Sequence, residues 1–252
     1  MIVMIRRWLW RLRGFFAFST VTAWVVAVSV FAHLILLCAD RVDFIHNHST
    51  YGYVLQSCFA LNWPTLIQGF FWQPFTYMFI HAGWLHLFLN MWALIVFGGE
   101  IERNHGSNFV LKVFFVGGIC AAFGWLAYTA LLPFLPTMSH LITWLPDHIA
   151  EMVSAGTGFN GSLDTSICMG ASGGVFALLA AYCALYPERQ LYVLLFFVLP
   201  LKVKSRTLLW ILLALTFVDW IFVQSPIAHV SHLTGGIIGY LWGCRRGKMK
   251  VY

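Results

Sequence analysis

The sequence predicts an all-α, polytopic membrane protein: a bundle of six transmembrane helices with both termini in the cytoplasm. Of the 252 residues, 60% are hydrophobic and only 10% are charged. Soluble domains carry about 25% charged residues, so most of the surface of this chain is expected to face lipid. A bilayer core about 30 Å thick takes roughly 20 apolar residues for each spanning helix. Several stretches of the sequence meet that requirement.

Charged residues and prolines divide the apolar stretches into six spans. Segments 51–73 and 191–200 are too interrupted or too short to cross, and we expect both to lie at the membrane interface. The chain is predicted to divide into a basic cytoplasmic segment 1–14, a membrane domain 15–244 and a basic tail 245–252. The predicted spans are, in order, 15–38, 82–99, 109–132, 171–186, 206–223 and 229–244.

The distribution of charge supports the number of spans. With six spans, Arg41 is the only one of the 15 Lys and Arg residues on the outer side. This asymmetry follows the positive-inside rule and accounts for the basic clusters without a nucleic-acid partner. We expect the lipid bilayer to surround the chain, and short loops favour a bacterial plasma membrane.

Four polar residues near the outer ends of the second, fourth and sixth spans indicate a functional site. They are His86 and Asn90, Ser172, and His232. Ionisable and strongly polar side chains are costly inside a membrane and usually serve a function there. These three spans run in the same direction, so the four residues are expected at similar depth, opening to the outer face.

These residue types suit acyl transfer. Ser172 needs a base to become a nucleophile, and His232 is a base that works near neutral pH. His86 and Asn90 are spaced i,i+4 and project from one helix face. They and the Ser172 backbone N–H are predicted to stabilise an oxyanion.

Small residues near the serine and histidine predict close helix packing. Such residues let membrane helices approach closely, which a Ser–His contact between two helices requires. The residues assigned to packing are Gly170, Gly173, Gly235 and Gly239.

Several other interpretations of these residues are weaker. Gly170-Ala-Ser172-Gly alone is equally consistent with plain helix packing, and its G-x-S-x-G pattern lacks the strand that a nucleophile elbow needs. Histidines 81, 86, 229 and 232 could ligate zinc, but these motifs contain no H-E-x-x-H, carboxylate or thiolate. We therefore predict no metal and no cofactor. His81 is expected to brace a loop, His229 to reach the interface, and Asp219 to cap a helix.

Taken together, the motifs resemble those of the rhomboid family of intramembrane serine proteases. The resemblance covers about residues 66–244 and rests on His81, His86 and Asn90, then Gly-x-Ser172-Gly, then His232-x-x-Gly-x-x-x-Gly. It implies a Ser172–His232 dyad, an oxyanion site at His86 and Asn90, and cleavage of transmembrane substrates near their outer ends. It also implies that the fifth helix and the following loop gate lateral access.

Two positions depart from the family pattern. Phe176 stands where the family often has a tyrosine that stacks on the histidine, so the aromatic platform remains without its hydroxyl. Trp72-Gln73 stands where many members have Trp-Arg, which is expected to affect the stability of the loop more than the chemistry.

The main alternative function is a catalytically inactive rhomboid-like protein that binds or escorts membrane clients. The intact Ser172, His232, His86 and Asn90 favour the enzyme. A transporter would usually show discontinuous helices or inverted repeats, and neither pattern is visible in the sequence.

Overall fold

The structure is a computed structural model that describes residues 20–46, 51–131, 167–195, 199–222 and 226–248. It is mostly helical. Three helices have regions that are long and apolar enough to cross a membrane. They are α1 (Thr20–His46), α5 (Trp84–His105, with a π-helical turn at Leu94–Gly98) and α6 (Ser107–Leu131). These helices confirm the prediction of a membrane-spanning, predominantly helical chain.

Each of the six predicted spans contains a helix of the structure. The last one continues into the predicted tail, and the loop before α5 holds three short helices and a 3₁₀ turn at Tyr77–Phe79. The count of six crossings and the cytoplasmic termini stay predictions, because among the described residues three helices, α1, α5 and α6, are long and apolar enough to cross a membrane. The other helices are α2 (Tyr51–Phe59), α3 (Trp63–Ile67), α4 (Gln73–Thr76), α7 (Ser172–Leu185), α8 (Ser205–Phe222) and α9 (Pro226–Lys248).

The segment between α7 and α8 is a β-hairpin, so the all-α prediction is wrong there. Strand β1 (Gln190–Leu195) pairs antiparallel with β2 (Leu199–Lys204), in a register from Gln190↔Lys204 to Leu195↔Leu199. The segment is rich in Val, Leu, Tyr and Phe, and its β-branched and aromatic residues suit a pleated, half-buried surface. A continuous apolar run does not by itself distinguish a buried helix from a strand.

Helices α7 and α9 pack in parallel along a row of glycines. A Cβ added to Gly235, Gly239 or Gly243 would strike the backbone of the facing residue on α7. The three facing pairs are Gly235–Gly173, Gly239–Ala177 and Gly243–Ala181, and each pair is 62 positions apart. The constant offset requires the two helices to run in the same direction.

Helix α6 runs antiparallel to this pair and completes the core. A Cβ on Gly117 would strike Ala177, and one on Gly173 would strike Ala121, so positions rise on one helix as they fall on the other. The side chains of Trp125 on α6 and Tyr182 on α7 are fully buried in the core.

A single buried carboxylate joins one end of three helices. Glu102, in the last turn of α5, accepts hydrogen bonds from the backbone N–H groups of Val21 (2.8 Å) and Thr22 (3.0 Å). It also accepts one from Ser107 Oγ at the start of α6 (2.7 Å). The carboxylate therefore satisfies N–H groups in the first described turn of α1 and fixes how α1, α5 and α6 meet.

Gln73 holds together the loop before α5. It is fully buried, and its Nε2 donates hydrogen bonds to Ser57 O (2.7 Å) and to Thr65 Oγ1. Its Oε1 accepts one from Asn62 N (3.3 Å). The glutamine at this position thus uses both ends of its amide inside the loop.

The hairpin end of α8 is fixed to the end of α7 through Ser205, which is completely buried. Its backbone N–H donates to Arg189 O (2.8 Å) and its hydroxyl donates to Tyr186 O. Cys183 Sγ donates to Ser205 O (3.1 Å). Three hydrogen bonds therefore hold the first residue of α8.

Candidate active site

Ser172 is the first residue of α7, directly after a tight turn. Gly170 has φ +118°, a left-handed conformation that favours glycine. Its backbone N–H donates to Tyr77 O (2.9 Å). A Cβ on Gly170 would lie 2.8–2.9 Å from the His86 ring. Gly170 makes the turn before Ser172 and leaves room for His86 on α5, and its assignment to helix packing stays a prediction.

The first turn of α7 presents free backbone donors. The first backbone hydrogen bond of the helix runs from Val175 N to Ala171 O (2.9 Å). In the described part of the chain, the N–H groups of Ser172, Gly173 and Gly174 have no hydrogen-bond partner. Such groups carry the positive end of the helix dipole. They form an environment suited to a developing negative charge beside Ser172.

His232 lies at the level of Ser172, on α9. Its ring stacks on Phe176, with centroids 4.2 Å apart and planes 8° from parallel, as expected for the aromatic platform. Phe176 is one helical turn below Ser172. Among the described residues, Ser172 Oγ makes no hydrogen bond, to His232 or to any other group. The structure thus brings together the helix turns that carry Ser172 and His232, without a hydrogen bond between these two side chains.

His86 and Asn90 lie on one side of α5, facing this region. Asn90 is 7% exposed, and its Nδ2 donates a hydrogen bond to His86 O (2.9 Å). An amide nitrogen carries two protons, so a second N–H is left for another acceptor. His86 lies against Gly170, two residues before Ser172. The residues predicted from three separate spans therefore surround one small region.

His81 has a larger part in this region than its sequence position indicates. It is buried, and its Nδ1 lies 3.2 Å from Phe79 O. Because a carbonyl oxygen only accepts, Nδ1 carries the proton. Nε2 then accepts a hydrogen bond from Ala171 N (3.4 Å). His81 thus braces its own loop, as predicted, and also the turn before Ser172.

Other predicted residues have different outcomes. His229 is only 8% exposed, so the prediction that it reaches toward the interface is wrong. The side chain of Asp219 lies outside the described residues. Among the side chains that the structure describes, no group of three or more His, Cys, Asp or Glu residues could hold a metal ion.

The length of α7 indicates how deep Ser172 lies. A helix of 14 residues is about 21 Å long, about 9 Å shorter than a 30 Å hydrocarbon core. If the hairpin end of α7 is at one membrane boundary, Ser172 lies roughly 9 Å below the other. The position of Ser172 in the outer third of the membrane stays a prediction.

The amino-acid sequence of the chain is similar to those of several known proteins. The chain is 25% identical over 189 residues to "Rhomboid-like protease 2" of Toxoplasma gondii, which covers 73% of this chain and 51% of that protein. It is 34% identical over 65 residues to "RHOMBOID-like protein 6, mitochondrial" of Arabidopsis thaliana, covering 25% of this chain and 21% of the relative. A similar match to "RHOMBOID-like protein 9, chloroplastic" of the same plant is 32% identical over 65 residues and covers 26% of this chain and 15% of the relative. The matched parts therefore span from about a seventh to about half of these relatives.

The family comparison covers most of the chain. The model of the Rhomboid domain matches residues 68–248, from the loop held by Gln73 to the last residue of α9. That range contains every residue of the candidate site. The chain therefore belongs to the rhomboid family.

Proposed function

We propose that the protein is an intramembrane serine endopeptidase that cleaves transmembrane segments near their outer ends. The observation that carries the proposal is the meeting of α5, α7 and α9 around Ser172, with His232 on its aromatic platform and free N–H donors beside it. Membership of the rhomboid family supports the same function.

The chemistry assigns one role to each group. Ser172 Oγ attacks the scissile carbonyl carbon while His232 takes the hydroxyl proton. The Ser172 N–H, His86 and the second N–H of Asn90 stabilise the oxyanion. His232 returns the proton to the leaving amine, which departs and leaves an acyl-enzyme. Water then attacks the ester, with His232 again as base, and regenerates Ser172.

The missing Ser172–His232 hydrogen bond is compatible with this scheme. Catalytic hydrogen bonds are often long or poorly aligned without substrate and tighten in the complex. Phe176 restricts rotation of the imidazole by stacking on it, which keeps the ring beside the first turn of α7.

The proposed arrangement in the membrane has six crossings with both termini inside. The parallel packing of α7 and α9 and the antiparallel packing of α6 support alternating directions. The names of the two plant relatives place those proteins in a mitochondrion and a chloroplast. The bacterial plasma membrane stays a prediction from the sequence.

The decisive experiment is labelling of the purified protein with a fluorophosphonate, which reacts with activated serines, together with cleavage of a single-span substrate in liposomes. We expect labelling and cleavage to be lost in Ser172→Ala and His232→Ala. Ser57→Ala is the matched control and should retain both, because the hydrogen bonds that the described residues make with Ser57 use its backbone oxygen. Cleavage that survives Ser172→Ala would refute the proposal. A stable wild-type protein that binds the substrate without labelling or cleavage would favour the inactive, client-binding function.

A further inference from the structure

The β-hairpin between α7 and α8 has two unlike faces. Cross-strand partners share a face, so the register places Leu191 with Val203, and Tyr192 with Lys202. Leu191 and Val203 are partly buried against the core, while Tyr192 is 73% exposed. One face is therefore aliphatic, and its first pair packs against the protein core. The other face carries Tyr192, Lys202 and Lys204.

The aliphatic face of the hairpin extends beyond Leu191 and Val203, the pair that packs against the core. Leu201 lies on the same face as Val203 and is 38% exposed. An isolated two-stranded hairpin is at best marginally stable in water, so this face requires a cover. The hairpin is separated from α7 by four residues and leads directly into α8, so in the proposed six-span arrangement its base lies at the membrane boundary.

The backbone restricts how deep the hairpin can lie. A two-stranded sheet has an unpaired row of N–H and C=O groups along each outer edge. Such groups are not tolerated in contact with the hydrocarbon core. The headgroup layer is the depth at which acyl chains cover the aliphatic face while water and phosphates satisfy the edges.

The charges around the hairpin identify the lipid. Glu188 pairs with both Lys204 (2.7 Å) and Arg206 (2.7 Å), so this group of three has one excess positive charge. Lys202 is exposed, and its side chain makes no ion pair or hydrogen bond with the described residues. Exposed cations on the polar face of an interfacial element attract anionic lipid headgroups.

We propose that the Gln190–Lys204 hairpin is an interfacial anchor that binds anionic phospholipid through Lys202, with Tyr192 at headgroup depth. The occupant is the phospholipid of the leaflet at the hairpin end of α7. The binding does not depend on the proposed peptidase chemistry, because no residue of the candidate site takes part.

The test uses the full chain in nanodiscs of phosphatidylcholine and phosphatidylglycerol. A photo-crosslinking amino acid, p-benzoylphenylalanine, replaces Tyr192, and mass spectrometry identifies the adducts. The control position is Trp210, which is 70% exposed on α8 and reports the bulk lipid composition. We expect lipid adducts at both positions, with phosphatidylglycerol enriched over the bulk at position 192 only.

Charge variants test the role of Lys202. One cation near an anionic surface changes the population about fivefold, so Lys202→Gln should lower the enrichment by about that factor and Lys202→Arg should preserve it. Glu188→Gln removes the paired acid and should raise the enrichment. Monodisperse elution and an unchanged unfolding temperature confirm that each variant folds.

Three results would overturn the proposal. They are the absence of lipid adducts at position 192 while position 210 gives them, crosslinks at 192 to a second copy of the chain, and an enrichment that is the same in Lys202→Gln and Lys202→Arg.

Discussion

The close contact of α7 and α9 makes Gly239→Ala a sharp test of the packing that supports the site. A Cβ at Gly239 would lie closer than 3.0 Å to the O, C and Cα atoms of Ala177, all of which are backbone. A backbone cannot swing away as a flexible side chain does. The substitution therefore forces the two helices apart.

The contact at Gly243, the next glycine in the row on α9, indicates how far α7 and α9 must separate. At Gly243 the nearest atom to an added Cβ is 2.6 Å away, which is 0.8 Å short of the 3.4 Å where ordinary contact begins. Gly239 fits more tightly, so α7 and α9 must separate by about 1 Å. Overpacking of this kind costs about 1–3 kcal/mol of stability, and a misplacement of about 1 Å costs roughly 100-fold in rate.

Two measurements check this prediction. Cleavage of a single-span substrate in liposomes gives kcat/KM, which should fall about 100-fold in Gly239→Ala. Thermal unfolding in detergent gives stability, which should fall even if the chain has no peptidase activity. The matched control is Gly236→Ala on the same helix, where an added Cβ has no atom within 4 Å. Because alanine is favoured over glycine in helices by about 0.5–1 kcal/mol, the control should be neutral or stabilising. If Gly239→Ala were as stable and active as Gly236→Ala, the close packing inferred here would be refuted.

Three further predictions follow from single side chains. Glu102→Ala leaves buried donors without their acceptor and should lower the free energy of unfolding by at least about 3 kcal/mol. The matched control is Glu188→Ala, which removes only exposed ion pairs. Phe176→Ala removes the ring stacked on His232 and should lower kcat/KM about tenfold, whereas Phe176→Tyr should keep the wild-type rate; equal loss in both would contradict the stacking role. A hydrogen bond from a lysine holds the pKa of Glu188 below its ordinary value of 4.5, so its ion pairs should persist at neutral pH and be lost as pH falls below that value. Hydrogen exchange of the hairpin amides, corrected for its intrinsic pH dependence, should then speed up with acidification in the wild type, and Glu188→Gln should not show that change.

The sequence predicted most of the site because its residues occupy positions that span direction and helical period determine. Ser172 in the first turn of a helix follows from the apolar run that begins after it, and Phe176 one turn below follows from the 3.6-residue repeat. The burial of His229 depends on how α9 is rotated against its neighbours, which an apolar helix with no polar face does not specify. The role of Gly170 depends on where α7 begins, and helix boundaries are uncertain by a few residues.

The hairpin was missed for a different reason. Segment 191–200 is apolar throughout, so neither a two-residue nor a 3.6-residue period stands out in it. Its strand character depends on pairing with Leu201–Lys204, a segment whose lysines were interpreted only as a boundary of the membrane.

The three hydrogen bonds at Ser205 make α8 a lever with one fixed end. Its 18 residues measure about 27 Å, so a rotation of 15° about Ser205 would move the far end by about 7 Å. That displacement approaches the width of a helix, whereas the hairpin end would barely shift. A gap of more than half a helix diameter would thus open at the far end of α8, while the contact at the hairpin end stays closed.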